Sequence, residues 1–125
     1  MQIDTDILIW YLRGNEKAFD FIEKQNGFNI SVVTYMELIQ GMRNKHELSL
    51  LRNKIKIWDC KVIYINEEIS TRALFYIEKH FLSHSMEFAD ALIGATAATY
   101  GLKLATCNDK HYKQISGLEI EKFRI

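Results

Sequence analysis

A chain of 125 residues, 48% of them hydrophobic, is long enough for one compact domain with a substantial core and too short for two, so a single domain over residues 1–125 is expected. Lysine plus arginine and aspartate plus glutamate number 16 each, which gives a net charge of zero, so any nucleic-acid contact has to come from a local patch. No apolar run approaches the roughly 18 residues that span a bilayer, and the opening MQIDTD carries two acids, unlike a signal peptide, which excludes a membrane role and points to the cytoplasm.

The chain has no proline, so every backbone amide can donate and helix ends must be marked by other residues, glycine above all. QIDTDILIWYL reads as a short buried strand, with Asp4 at its carboxyl end, turning into a short helix. From Asn15 to Asn26, Ala18, Phe19, Phe21 and Ile22 recur near helical spacing, and Gly27 supplies a stop. Phe28 to Val33 is short and rich in β-branched residues, a second strand, after which Thr34 is placed to begin the helix carrying Met36, Glu37, Leu38, Ile39 and Met42.

Residues 46–58 alternate Leu and Ile with Lys and Arg at helical spacing, Val62 to Ile65 reads as a third strand, and residues 67–82 as another amphipathic helix. MEFADALIGATAATYG is dense in small residues, so it forms a helix able to lie close to a sheet, with Asp90 in its early turns and Gly101 at its end. Lys103 to Thr106 is a short strand, Asn108 to Ile115 a short helix or turn, and Leu118 to Ile120 a last strand. Strand and helix alternate throughout, which predicts an α/β fold with a mainly parallel sheet. Cys60 and Cys107 stand far apart and outside any metal-ligand spacing, so neither a disulfide framework nor a zinc site is expected.

In a parallel α/β sheet, ligands gather beyond the carboxyl ends of the strands, near the point where strand order reverses. Asp4 follows the first strand, Glu37 falls in the first helical turn after the second, Asn108 and Asp109 follow the fourth, and Asp90 opens the helix leading to it. Two ionised carboxylates roughly 5 Å apart repel by about 3 kcal/mol at an effective dielectric near 20, so such a cluster needs a cation or raised pKa values. A divalent ion resolves this. Mg²⁺ is held by one or two carboxylates plus a substrate phosphate, an arrangement suited to hydrolysis of a phosphodiester by metal-activated water.

Each acid alone has an ordinary structural explanation. Asp4 and Asp6 fit turn or cap positions, Asp90 complements its helix dipole, and Glu37, set in VVTYMELI, is one that reaches solvent or is paired. His46, His80, His84 and His111 show no metal-pair spacing and read as surface or packing residues, and the Trp and Tyr residues as core. Met42 to Lys56 gathers Arg43, Lys45, His46, Arg52, Lys54 and Lys56, which is either a phosphate-tracking surface or a solvated helix face. Arg13, Lys110 and Lys113 lie nearer the polar site residues, and Arg13 and Lys110 are the candidates for holding phosphate.

On these residues the chain resembles the PIN-domain ribonucleases, and more narrowly the VapC-type toxins, over nearly its whole length. IDTDILIWYL is similar to the family's strand-end acid and apolar helix, SVVTYMELIQG to its Ser/Thr-rich strand end with Glu and Gly, and FADALIGATAATYGLKLATCN to its most specific stretch. The resemblance implies a three-layer sandwich with about five strands, and an Mg²⁺-dependent endoribonuclease in which Asp4, Glu37 and Asp90 surround the metal. Asp4 and Asp90 would be the direct ligands, and Mn²⁺ an alternative ion. Asn108 matches the fourth polar position, but Asp109 stands beside it, so either completes the site.

Two residues depart from the pattern: Asp6, where Asn is usual, and His111, where many members have an acid before the aromatic. Asp6 either supports the metal from behind its ligands or caps the helix. The resemblance also implies an RNA substrate, a homodimer and a cognate antitoxin whose segment occludes the site. An RNA-processing nuclease with no toxin role is the alternative. Haloacid-dehalogenase phosphatases share an Asp, Thr, Asp after the first strand, but Ile7 and Leu8 follow here where Gly-Thr is expected. A response-regulator receiver needs an Asp after its third strand, where VIYIN offers Asn66.

Overall fold

The computed structural model describes residues 1–83 and 86–125, so His84 lies outside the described residues. In chain order the elements are β1 (Gln2–Ile3), α1 (Thr5–Leu12), α2 (Glu16–Glu23), β2 (Phe28–Ser31), α3 (Val32–Gln40), α4 (Lys45–Ile57), β3 (Cys60–Ile63), α5 (Glu67–His80), α6 (Phe88–Thr99), β4 (Leu104–Thr106), α7 (Asp109–Tyr112) and β5 (Ile120–Lys122). The strands form one five-stranded sheet in the order β3-β2-β1-β4-β5, and every pairing is parallel. The chain builds outward from β1 on one side, then crosses to the other side of β1 to add β4 and β5. The reversal of strand order therefore falls between β1 and β4, and a crevice at their carboxyl ends follows from it.

Alternation along the strands feeds two cores, one on each face of the sheet. Ile3, Phe28, Ile30 and Ala105 meet Ile7, Leu8 and Tyr11 of α1, Ile22 of α2, Leu51 of α4, and Trp58. Leu104 and Ile63 point to the opposite face and meet Ile69, Ala73 and Tyr76 of α5, Ile93 and Ala97 of α6, and Tyr112. Three layers result, as the alternating elements predict. The small residues of α6 allow its close approach: a Cβ added at Gly94 would stand 2.7 Å from Ile115 Cδ1 and 3.4 Å from the Tyr112 ring.

Three boundaries differ from the sequence reading. Ser31, not Thr34, caps α3, its Oγ accepting from Val33 N at 3.1 Å, so the β-branched pair Val32–Val33 forms the first helical turn instead of ending the strand. Glu37 consequently lies in the second turn of α3. Strand β3 starts at Cys60, not Val62, because Asp59 takes a left-handed conformation (φ 52°) that turns the chain straight from α4 into the sheet. Tyr64 and Ile65 then run past the strand's end, and Tyr64 is exposed, as is Tyr100, so not every Tyr is core. Strand β5 begins at Ile120 after a turn with Gly117 at φ 81°, and pairs with Leu104–Thr106.

One polar residue sits in the middle of the sheet. Gln2 is fully buried; its Nε2 donates to the Ile93 carbonyl at 3.0 Å, while its Oε1 has no partner among the described residues. An unpaired buried acceptor costs about 1–3 kcal/mol, whereas replacing the group by an apolar one of similar shape is close to neutral. Gln2→Met is expected to leave stability unchanged or raise it by up to about 2 kcal/mol in urea unfolding; a clear loss would show that the carboxamide is fully satisfied in solution.

Candidate active site

Asp4 occupies the step from β1 into α1. As the N-cap of α1 its Oδ1 accepts from Thr5 N at 2.8 Å, and its Oδ2 accepts from Thr106 Oγ1 at 2.7 Å, across the crevice at the end of β4. The residue is only 5% exposed. Burial, with the like charge of Asp6 added, pushes its carboxyl up to about 7, against the opposing hydrogen bonds from Thr106, Thr5 and Tyr112. Asp6 lies one residue into α1, and its Oδ2 accepts from Cys107 N at 3.1 Å while its Oδ1 is buried without a partner. Burial raises its carboxyl as well.

Asp90, in the first turn of α6, is raised by burial, with His111 acting against this: Asp90 Oδ2 lies 3.2 Å from His111 Nδ1. The Tyr112 hydroxyl donates to Asp90 Oδ1 at 3.4 Å, and it also acts on the Asp4 carboxyl against the effect of burial. Burial raises the phenol far above its ordinary range, so it stays a donor. Glu37 is more exposed than its apolar neighbours suggest, because the second turn of α3 carries it to the rim. Its Oε1 accepts from Thr5 Oγ1 at 2.7 Å. That uses the single hydroxyl proton of Thr5, so in the 2.9 Å contact with buried Thr34 it is Thr34 that donates.

Asp4 and Asp6 thus both contact Thr106, the Tyr112 hydroxyl holds Asp90, and Glu37 is joined to the start of α1 through Thr5. The two candidates for the fourth position point different ways. Asp109 Oδ1 accepts from Arg124 Nη2 at 2.7 Å, with Lys122 at 3.9 Å from Oδ2, and this pairing holds its carboxyl below the usual range. Asn108 is exposed, its side chain makes no cap bond, and its backbone N–H donates to Thr106 Oγ1 at 2.9 Å. Arg13 lies over the Trp10 ring at 5.6 Å, and Lys110 is exposed.

Two residues of the basic stretch, Arg43 and Lys54, are engaged elsewhere. Arg43 pairs with Glu47 at 2.7 Å, and Lys54 donates to Tyr11 Oη at 3.1 Å, which in turn donates to Glu23 at 2.7 Å, tying α4 to α1 and α2. Among the described histidines, His80 is buried in α5, His46 is exposed, and His111 touches Asp90. The sequence reading missed Thr5, Thr34, Thr106 and Tyr112 as site residues. Position was the available signal for two of them, since Thr5 separates the two N-terminal acids and Thr106 ends the fourth strand.

A PIN domain family model matches residues 1–118, which takes in every acid described above. The chain belongs to the PIN domain family. Ribonuclease VapC10 of Mycobacterium tuberculosis is 34% identical over 121 residues, covering 94% of this chain and 89% of the relative. A toxin-antitoxin complex from Klebsiella pneumoniae contains a chain similar to this PIN domain at 27% identity and TM-score 0.78, covering 99% and 98% of the two chains. DNA-bound VapBC from Salmonella typhimurium shares the fold at TM-score 0.82 and 21% identity, over 97% and 96%.

VapC-type PIN domains are metal-dependent nucleases, and the donor set here fits a hard cation. The donors are carboxylate oxygens, one of them, Asp6 Oδ1, buried and unpartnered. Cys107, pushed up to about 11 by burial and the acids beside it, remains a thiol and offers no soft thiolate ligand. Among the described residues no three His, Cys, Asp or Glu side chains form a group that could by itself hold a metal ion.

The raised Asp4 carboxyl has a consequence for stability. An acid that holds its proton more tightly folded than unfolded stabilises the fold below the unfolded value near 4 and loses that contribution as pH rises to about 7. Asp6 and Asp90 act in the same direction, while Asp109, held low by Arg124, acts oppositely and at lower pH. In metal-free buffer the melting temperature is expected to fall between pH 4 and pH 7, by the equivalent of roughly 1–4 kcal/mol. Asp4→Asn should flatten the fall and added Mg²⁺ should reverse it; a melting temperature that rises through this window would contradict the placement of Asp4.

Proposed function

We propose that the chain is a Mg²⁺-dependent endoribonuclease hydrolysing RNA phosphodiester bonds, and the toxin of a toxin-antitoxin pair. The observation that carries the reading is the family match over residues 1–118, supported by Asp4 and Asp6 contacting Thr106 at the β1/β4 crevice and Asp90 contacting Tyr112. Asp4 and Asp90 would hold the ion, Mg²⁺ or in its place Mn²⁺. When bound, the ion supplies an activated water and stabilises charge on the phosphoryl oxygens.

The chain's own residues do the rest. Thr5 fixes Glu37 Oε1, leaving Oε2 to orient the attacking water at the rim. Asp6, held by Cys107 N, supports the ion from behind. Asn108 completes the site in preference to Asp109, whose carboxylate is taken by Arg124. Arg13 and Lys110 hold phosphates of the RNA beside it.

Two surfaces support the proposed partners. A groove of about 910 Å³, mostly apolar, runs between α1, α3 and α4, and both Glu37 and Arg13 line it. It suits the antitoxin segment that would occlude the site. Leu74, Phe75, Phe81, Leu82 and Phe88 expose an apolar surface on α5 and around the passage to α6, which suits homodimerisation. No helix among the described residues is long and apolar enough to cross a membrane.

Cleavage of a structured RNA by the purified protein, with and without Mg²⁺, tests the proposal. Asp4→Asn and Asp90→Asn are each expected to slow cleavage at least about 100-fold, and Asp109→Asn by no more than about threefold. Cleavage that persists in both of the first two variants would overturn the site assignment. Charge reversal at Arg13 and Lys110 should weaken RNA binding and reduce the slope of its salt dependence by roughly one ion per residue; an unchanged slope would remove them from the phosphate path.

A further inference from the structure

Tyr112 closes α7 and, at 1% exposure, is the bulkiest fully buried side chain among the described residues. Its ring lies against α6 at Gly94, where an added Cβ would stand 3.4 Å from the ring's Cδ1 and 3.7 Å from its Cε1. Gly94 is one helical turn beyond Asp90 and shares its face. A ring laid across that glycine carries its hydroxyl to the Asp90 carboxylate, 3.4 Å from Oδ1. Packing explains the ring but not the hydroxyl, since a phenylalanine would fill the same space without burying a polar group.

We infer that Tyr112 is a positioning residue: its hydroxyl holds the Asp90 carboxylate on α6 and sets the orientation in which that acid, together with Asp4 at the end of β1, holds a divalent cation. The inference rests on the reading of those two acids as the ion's ligands. A hydroxyl has a single proton and no charge, so it fixes the carboxylate without removing the need for a cation. The two acids lie 86 residues apart in the chain, and no helix or strand contains both. The hydroxyl, anchored by the buried ring, therefore limits how far the Asp90 carboxyl can swing away.

Mn²⁺ binding to the full-length protein, followed by calorimetry, separates the possibilities for the wild type, Tyr112→Phe, Asp4→Asn and Asp90→Asn. Tyr112→Phe is expected to bind Mn²⁺ about tenfold more weakly and to need about tenfold more Mg²⁺ for half-maximal RNA cleavage, with the metal-free melting temperature little changed. Wild-type Mn²⁺ affinity in Tyr112→Phe, with binding lost in both aspartate variants, overturns the inference and leaves the metal site intact. Wild-type affinity in both aspartate variants overturns the reading of the site itself. Should Tyr112→Phe not fold, Gly94→Val combined with Ile115→Ala keeps the hydroxyl but extends methyls beyond a Cβ already 3.4 Å from the ring, which displaces it, and is expected to weaken Mn²⁺ binding; unchanged affinity there also overturns the inference.

Discussion

The site depends on the Asp4 carboxylate being fixed at the crevice between β1 and β4 with no positive side chain paired to it among the described residues. Its two oxygens are held by a backbone amide of α1 and by the Thr106 hydroxyl, which lock it to the sheet. None of the main influences on its ionisation is a neighbouring cation. Arg124 and Lys122 are turned to Asp109, and Lys54 to Tyr11. An acid buried this way must keep its proton or acquire a counter-ion from solution. The fold thus creates a standing demand for positive charge at one place.

Neutral donors surround this demand. Thr5, Thr106 and Tyr112 hold acids in place with hydroxyls, where arginine or lysine would have done so with charge; Thr34 braces Thr5, and Asp90 also lies 3.2 Å from the His111 imidazole. The choice matters physically, because a salt bridge would both fix a carboxylate and neutralise it, leaving little attraction for an incoming ion. A hydroxyl fixes the carboxylate and leaves most of its charge available. Asp109 shows the contrast: it is locked by Arg124 and held below the usual carboxylate range.

The fold class was readable because alternation of short β-branched runs with amphipathic segments leaves few α/β arrangements, and because acids at strand ends mark the crevice such sheets create. The positions of Asp4, at the end of β1, and of Asp90, in the first turn of α6, were readable from the pattern of elements. The start of α3 was not readable, since Val32 and Val33 favour strand locally and only the Ser31 cap makes them helical. That shift of register moved Glu37 by a turn. The role of Tyr112 was also hidden, for an aromatic at the end of a four-residue helix looks like core until the glycine it lies against is known to stand one turn from an acid. Asn108 and Asp109 could not be separated in sequence because what divides them is Arg124, 15 residues beyond Asp109.

The groove between α1, α3 and α4 opens at Glu37 and Arg13, so the rim of the site is also the rim of the groove. Helix α1 forms both its wall and the base from which Asp4, Thr5 and Asp6 project, and the Tyr11 contacts to Lys54 and Glu23 brace that helix against α4 and α2. A segment lodged there would block substrate by occupying space, with no rearrangement of the catalytic groups behind it. Release would then restore a fully assembled site at once, and the speed of switching would be set by how fast the occupant leaves or is destroyed.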